Sequence, residues 1–225
     1  MEIHIEEAGY EQGTAVITQV HFSLASGEIV GLIGGNGAGK STTIQTLLGT
    51  IPYVKGVVPV EACGYVPERP ILYTYYTLRE HIHLLVQSIG DDHLWERALT
   101  LCELFRLDKH LDNYPTSFSK GMQQKVMLVL AFTPSYTLYI LDEPFMGLDP
   151  QAIRRLLLLL EELKHSGATI LISTHALHTA ETICNRFLCM HEGQLIQQGT
   201  LEQLQTYPEQ DLLEIFDTLI EGVQS

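Results

Sequence analysis

Residues Ile29–Leu48 read IVGLIGGNGAGKSTTIQTLL: an apolar run, a glycine-rich turn and a helix-forming stretch. A short apolar run ending in glycine, Ile29–Ile33, has the character of a buried central strand. Lys40–Leu48 reads as a helix, with Gly49 and Pro52 to end it. A strand, a glycine loop and a helix in that order make a phosphate cradle, because backbone N–H groups converge at the helix N-terminus. Gly34, Gly37 and Gly39 allow the tight path and a close approach. Lys40 is placed to reach β- and γ-phosphates, and the Ser41 hydroxyl to ligate Mg²⁺. Asn36, Ala38 and Thr42 complete the expected phosphate-binding loop.

On either side of this stretch the chain alternates between strand and helix patterns. Ile3 with Ile5, and then Ala15–Leu24, read as strands, with a turn at Ser26-Gly27. From about residue 70 to about residue 130 the spacing turns helical: Leu78, Ile82, Leu85 and Ile89, then Leu94, Ala98, Leu101 and Leu104. This reads as a helical insertion. Leu138–Asp142 is a second core strand, Ile153–Lys164 a helix and Thr169–Ser173 a third strand. Phe187–His191 and Gln194–Gln198 flank Glu192-Gly193 as a hairpin. Leu212, Ile215, Phe216 and Leu219 predict an amphipathic helix in a tail of about 200–225. The chain has no internal repeat. The alternation predicts an α/β core with a mainly parallel sheet.

The 225 residues, 45% hydrophobic, suffice for one large domain or a core with a subdomain. Thirteen basic against 27 acidic residues leave a net charge of −14. That argues against nucleic acid as the main partner, because such binding neutralises phosphates. It also argues against adsorption to anionic lipid by charge alone. Cys63, Cys102, Cys184 and Cys189 form no CxxC pair and no zinc pattern, and read as reduced thiols of a cytosolic protein. No apolar run approaches the roughly 18 residues of a membrane span. The start, MEIHIEEAGY, lacks a signal peptide's basic opening and apolar core.

Two strand ends carry chemistry. Asp142 closes the run LYILDEP, where it can bind Mg²⁺ directly or through water, and Glu143 follows as the candidate to orient or deprotonate water. His175 ends LISTH, where it can hydrogen-bond a γ-phosphate or the attacking water. Alone, each is as well read as an ordinary polar strand end. After a phosphate loop, Lys40, Glu143 and His175 become the catalytic candidates.

At Phe118–Lys125, FSKGMQQK, the sequence resembles the ATPase subunits of ABC transporters, and the resemblance covers nearly the whole chain. The family's signature has the pattern LSGGQ. Here it is FSKGM, with Ser119 and Gly121 at the most informative positions and Lys120 and Met122 departing from the commonest form. The resemblance implies that Ser119 and Gly121 face the γ-phosphate of ATP held by the opposite subunit, using a serine hydroxyl and a helix N-terminus. Tyr10 lies where the family stacks an aromatic on adenine. GLD, Gly147–Asp149, matches the loop through which each subunit senses the other's site. Tyr65–Glu68 matches the Q-loop, with Glu68 where glutamine is commonest. A glutamate can still reach Mg²⁺ or water, but cannot donate as an amide does.

The resemblance therefore implies a P-loop ATPase core, an antiparallel β subdomain and a helical subdomain. It implies ATP and Mg²⁺, with Ser41, Glu68 and Asp142 around the metal, and a second ATPase subunit as partner. It implies a multi-span transmembrane permease on another chain, which would hold this cytoplasmic subunit at the inner face of the cell membrane. Tyr73, Tyr75 and Tyr76, within Arg69–Arg79, suit a groove for a helix of that permease, or packing within the helical subdomain. His81 and His83 read as exposed helix residues rather than metal ligands. The KGM form and the tail after GQLIQQGTLEQL are similar to bacterial exporters of the Ecs or bacitracin-resistance type. Two other readings stay open: a non-transport ABC ATPase acting on ribosomes or DNA, and a degenerate subunit that does not hydrolyse. Such ribosome-acting members carry two ATPase units on one chain and such DNA-acting ones a long coiled coil; this chain has neither. Intact Lys40, Asp142, Glu143 and His175 argue against degeneracy.

Overall fold

The computed structural model describes residues 1–60, 62–207 and 210–223. Two sheets form the frame. Strands β1 (Glu2–Gly9), β2 (Ile17–Ser23) and β4 (Tyr53–Val57) make an antiparallel sheet in the order β2-β1-β4. Strands β3 (Ile29–Gly34), β5 (Gly64–Val66), β6 (Leu138–Asp142), β7 (Thr169–Ser173), β8 (Arg186–His191) and β9 (Gln194–Gly199) make the larger sheet, ordered β5-β6-β7-β3-β8-β9. All neighbours in it are parallel except the β8–β9 hairpin. Ser26-Gly27 is a turn, but it joins the two sheets rather than two paired strands.

Alternation along the parallel strands distributes the core. Val30, Leu32, Ile140, Leu171 and Leu188 face one side, where β1, β2 and helix α1 (Lys40–Leu47) cover them. Tyr139, Leu141, Ile170 and Ile172 face the other, under α2 (Leu78–Ile89), α3 (Leu94–Leu104), α4 (Lys120–Phe132) and α5 (Pro150–His165). A third cluster joins Ile33, Phe187 and Cys189 to α6 (Leu177–Ile183), α7 (Leu201–Leu204) and α8 (Leu212–Val223). Strands buried on both faces read as unbroken apolar runs, which is why β3, β6 and β7 were legible.

Helix α2 departs from its expected face. Leu85 is half-buried and Ile89 is 44% exposed; the buried stripe is Leu78, His81, Ile82 and Val86. His81 is therefore not an exposed helix residue: it is 5% exposed and tied at both ring nitrogens. The Tyr73 N–H donates to its Nε2 at 2.9 Å, and its Nδ1 lies 2.8 Å from the Thr77 carbonyl oxygen. A ring nitrogen that accepts is unprotonated, so Nδ1 carries the proton. His83 is exposed, edge-on to Trp95.

The cysteines are all free, Cys102 and Cys189 buried and Cys63 and Cys184 half-buried. Burial pushes the thiols of Cys102, Cys184 and Cys189 up to about 12.

The β8–β9 turn buttresses the phosphate loop. Gly193 N–H donates to the Ala38 carbonyl at 3.0 Å, and the Gly193 carbonyl accepts from Thr18 N–H at 2.9 Å. Gly193 has φ +79°, and a Cβ there would collide with the Val16 carbonyl oxygen. Gly13 has nearly the same torsion, φ +82°, with open space around it. Gly13→Ala is expected to cost about 1 kcal/mol, the left-handed penalty alone. Gly193→Ala adds a backbone collision and is expected to cost about 3 kcal/mol. Urea denaturation of the two variants measures the difference; equal losses would mean that the Val16 contact relaxes freely.

Candidate nucleotide site

Four loops leave the parallel strands at their carboxyl ends: Gly35–Gly39 after β3, Pro67-Glu68 after β5, Glu143 after β6 and Thr174-His175 after β7. Pairing aligns these ends, with Asp142 opposite Ser173 and Leu32 opposite Ser173. A parallel sheet binds ligands outside this edge. A cavity of about 310 Å³ opens there. Asn36, Gly37, Ala38, Gly39, Lys40, Ser41 and Thr42 form one wall, and Glu68, Asp142, Glu143 and His175 face them. Residues more than a hundred positions apart thus meet in one space.

Helix α1 begins without a side-chain cap, at Gly39 with φ +103°. Its first N–H groups are left for a ligand. Lys40 turns back onto the loop, its Nζ donating to the Gly34 carbonyl at 2.8 Å and the Gly35 carbonyl at 3.1 Å. Burial lowers its pKa, while Glu143, Asp142 and Glu68 pull the other way. Phosphate oxygens would take over the donors that these carbonyls now hold.

Asp142 is 6% exposed. Burial raises its pKa above the usual carboxylate range; Glu68 and Glu143 add to this, and Ser173 and Lys40 oppose it. Glu143 adopts φ +49°, a left-handed torsion rare outside glycine. Holding it there costs about 1 kcal/mol or more. The Glu143 N–H to Ser173 carbonyl bond, 2.8 Å, fixes it. From that position its Oε1 lies 2.9 Å from His175 Nδ1, Glu143 being 13% and His175 66% exposed at the side chain. The carboxylate and the imidazole meet at the cavity.

Tyr10 stands at the rim, 50% exposed, its hydroxyl 3.3 Å from Thr42 Oγ1. It does not line the cavity. Val16, Met146 and Ser173 do. Sequence reasoning assigned none of the three a role: Val16 arrives from the turn before β2 and Met146 from the loop after Glu143, and neither carries a spacing signal. Ser173 lay inside the quoted STH but was passed over for His175.

Ser119 and Gly121 lie elsewhere. Ser119 caps α4, its Oγ accepting from the Met122 N–H at 3.3 Å, and neither residue lines the cavity. The start of α4 instead rests on GLD: a Cβ on Gly121 would collide with the Gly147 carbonyl oxygen. Lys125 of α4, 14% exposed, pairs with Asp149 at 2.6 Å. Lys125 and the Ala152 N–H hold the Asp149 carboxyl down at about 2. Asp149 caps α5, accepting from Ala152 N–H at 2.9 Å. The signature segment and GLD are thus joined at two points.

Comparison with known proteins gives the chain's family. The family model for the ABC transporter matches residues 17–146. An uncharacterized ABC transporter ATP-binding protein of Bacillus subtilis, YthP, is 42% identical over 99% of this chain and 97% of its own. The ABC-type transporter ATP-binding protein EcsA of the same organism is 43% identical over 84% of this chain and 83% of its own. A solved structure of the ATP-binding subunit of an ABC transporter superposes with TM-score 0.90 and 38% identity, covering 98% of this chain and 99% of that one. With a family model spanning more than half of the sequence and such relatives along it, the chain belongs to the ABC transporter family, as an ATP-binding subunit that hydrolyses ATP.

Proposed function

We propose that two copies of this subunit, or one copy and a close paralogue, close face to face on ATP and Mg²⁺, and so power export through a separate transmembrane permease. One observation carries the reading. Lys40, Ser41, Asp142, Glu143 and His175 share a cavity, whereas Ser119 and Gly121 stand outside it at the exposed start of α4. A hydroxyl and a helix N-terminus suited to a γ-phosphate serve no purpose in their own site. They belong to the site of the facing copy.

The donor set suits Mg²⁺. Ser41, Glu68 and Asp142 supply hard oxygen donors in one cavity. Among the described residues no group of three His, Cys, Asp or Glu encloses a metal. Mg²⁺ is held in that way, by one or two carboxylates together with substrate phosphates and water. When bound, it would neutralise charge on the β- and γ-phosphates. Lys40 neutralises the same oxygens from the loop side, and the Gly37–Ser41 backbone cradles the phosphates. Glu143 accepts a proton from water as the water oxygen attacks the γ-phosphorus. The bond from γ-phosphorus to the bridging oxygen breaks, and ADP and phosphate leave. His175 holds Glu143 in line and contacts the γ-phosphate. Tyr10 stacks on adenine, with Gly34, Asn36, Ala38, Gly39 and Thr42 completing the pocket.

We assign residues of about 70–130 to a helical subdomain and about 200–225 to a helical tail. Ile71, Tyr73, Tyr75 and Tyr76 stand exposed between β5 and α2, Tyr75 at 86%. An apolar patch of this kind suits a helix of the permease. His81 holds its backbone in place. No helix among the described residues is long and apolar enough to cross a membrane, and in this reading a permease on another chain supplies the path. That permease would keep the subunit at the cytoplasmic face of the membrane. Export is the direction taken from the similarity of the KGM signature and tail to Ecs-type exporters.

Glu143→Gln is expected to keep ATP binding and to lower turnover by about 10²–10⁴-fold, the usual loss with a positioned base. Phosphate release together with equilibrium nucleotide binding measures both; turnover within about threefold of the parent removes Glu143 from this role. Lys40→Ala is expected to weaken binding and turnover together, because the lysine contacts phosphate in ground and transition states alike. Light scattering tests the shared site. Glu143→Gln protein should pair on ATP, against the repulsion of −14 on each copy, and adding Ser119→Arg should prevent pairing while each monomer retains ATP. In the assembled transporter, hydrolysis that survives Ser119→Arg refutes the shared site.

A further inference from the structure

We infer that the C-terminal helix α8 is a positioning element for His175: its apolar face holds α6, and α6 holds the loop that aims the imidazole at Glu143. The inference rests on the role proposed above for His175 and adds a distant control on turnover.

His175 is not fixed by its own burial. Its side chain is 66% exposed and meets Glu143 at 2.9 Å. Its direction is therefore set by the backbone behind it. There the Ala176 N–H donates to Thr174 Oγ1 at 3.0 Å and the Leu177 N–H to the His175 carbonyl at 3.0 Å. Helix α6 starts at once, at Leu177, and runs for seven residues without a side-chain cap. A helix shorter than about 12 residues is marginal by itself, so packing has to supply its order.

Ile183 of α6 packs into the core under α2–α5, and Ala180 meets Ile33 and Phe187 of the sheet; the outer part of that packing comes from the tail. Ala180 and Leu177 of α6 enter a cluster with Leu212, Ile215 and Phe216 of α8. Leu212 is fully buried and Ile215 nearly so. A buried amide fixes where α8 begins. Gln210, 8% exposed, donates from Nε2 to Thr218 Oγ1 at 3.3 Å, accepts at Oε1 from the Thr206 N–H at 3.0 Å, and accepts at its carbonyl from Gln205 Nε2 at 2.8 Å. A polar group satisfied from three directions holds one register. The two helices enclose a groove of about 280 Å³, lined by His175, Leu177, His178, Glu181, Asp211 and Leu213. His175 lines this groove and the nucleotide cavity alike. It is the partition between them, and the first turn of α8 is the far wall.

The phosphate loop depends on other contacts. Ala38, Ile44 and Leu47 pack with Val30 and Leu32 on the opposite face of the sheet. Of the described β3 residues only Ile33 reaches the α8 cluster, and the strand is held between β7 and β8. Loosening α8 should therefore disturb hydrolysis and spare nucleotide binding.

The test is steady-state hydrolysis by the full chain carrying Leu212→Ala or Phe216→Ala. The expected result is kcat lower by about tenfold or more, as misplacement of a catalytic group costs, with KM for ATP within about twofold of the parent. Leu212→Met, which keeps the volume, should restore kcat to within about threefold. In a His175→Ala background, Leu212→Ala should lower turnover by less than about twofold, because the group it positions is gone. Equal losses in both backgrounds, or a rise in KM with kcat unchanged, overturn the inference. If Leu212→Ala does not fold, Phe216→Leu carries the same comparison. A second readout needs no hydrolysis. Amide exchange at residues 174–178 should quicken by about tenfold in the variants while residues 36–42 keep their rates, as local opening confined to one unit requires. Unchanged exchange at 174–178 also overturns the inference. A parent without turnover would count against the proposed function and leave the exchange result to decide this one.

Discussion

A carboxylate held out of water is the constraint on which the site turns. Asp142 ends a strand buried on both faces and is itself 6% exposed. A charge in such a place is costly unless it is paired. The nearby side chains do not balance it: Glu68, Asp142 and Glu143 line the cavity with Lys40 as the single lysine on its wall. A triphosphate would add negative charge to a space already rich in it. A cation bound with the nucleotide, as proposed above, would offset that excess. The carboxyl ends of the parallel strands gather these groups, and Glu143 accepts a strained torsion to stay at the same edge.

Around that edge the molecule is built as three packed clusters, and each carries a different duty. The cluster under β1, β2 and α1 supports the phosphate loop. The cluster under α2–α5 supports the signature segment, GLD and the exposed tyrosines before α2. The cluster with α6–α8 lies behind the loop that carries His175. In the proposed mechanism, binding, communication and hydrolysis would lean on different clusters, with Ile183 and Cys184 linking the second to the third.

The strands most deeply buried were the most legible. Ile29–Ile33, Leu138–Asp142 and Thr169–Ser173 are apolar from end to end, because both faces are covered. The Lys40, Asp142, Glu143 and His175 constellation was legible for the same reason, each residue standing at the end of such a run or beside a glycine loop. Other features left no pattern. Strand β4, Tyr53–Val57, is an edge strand with mostly exposed side chains, and β5 is three residues long. Helix α6 is held by its neighbours rather than by its own composition. The stripe on α2 was misread because His81 was counted as polar surface, whereas two hydrogen bonds make it an interior residue. Val16 and Met146 reach the cavity only through the path of their loops.

The seam where Gly121 meets Gly147, and Lys125 meets Asp149, has a consequence in the language of linkage. In the proposed dimer, one side of the seam would serve the nucleotide of the facing copy, and the other side follows Glu143 of its own. Displacement on one side is therefore work done on the other. Thermodynamic reciprocity then applies: the factor by which an occupant of the first site alters affinity at the second equals the factor in the opposite direction. In the proposed dimer, two sites joined by such a seam would respond to nucleotide as one cooperative unit with a shared isotherm, rather than as two engines that happen to lie side by side.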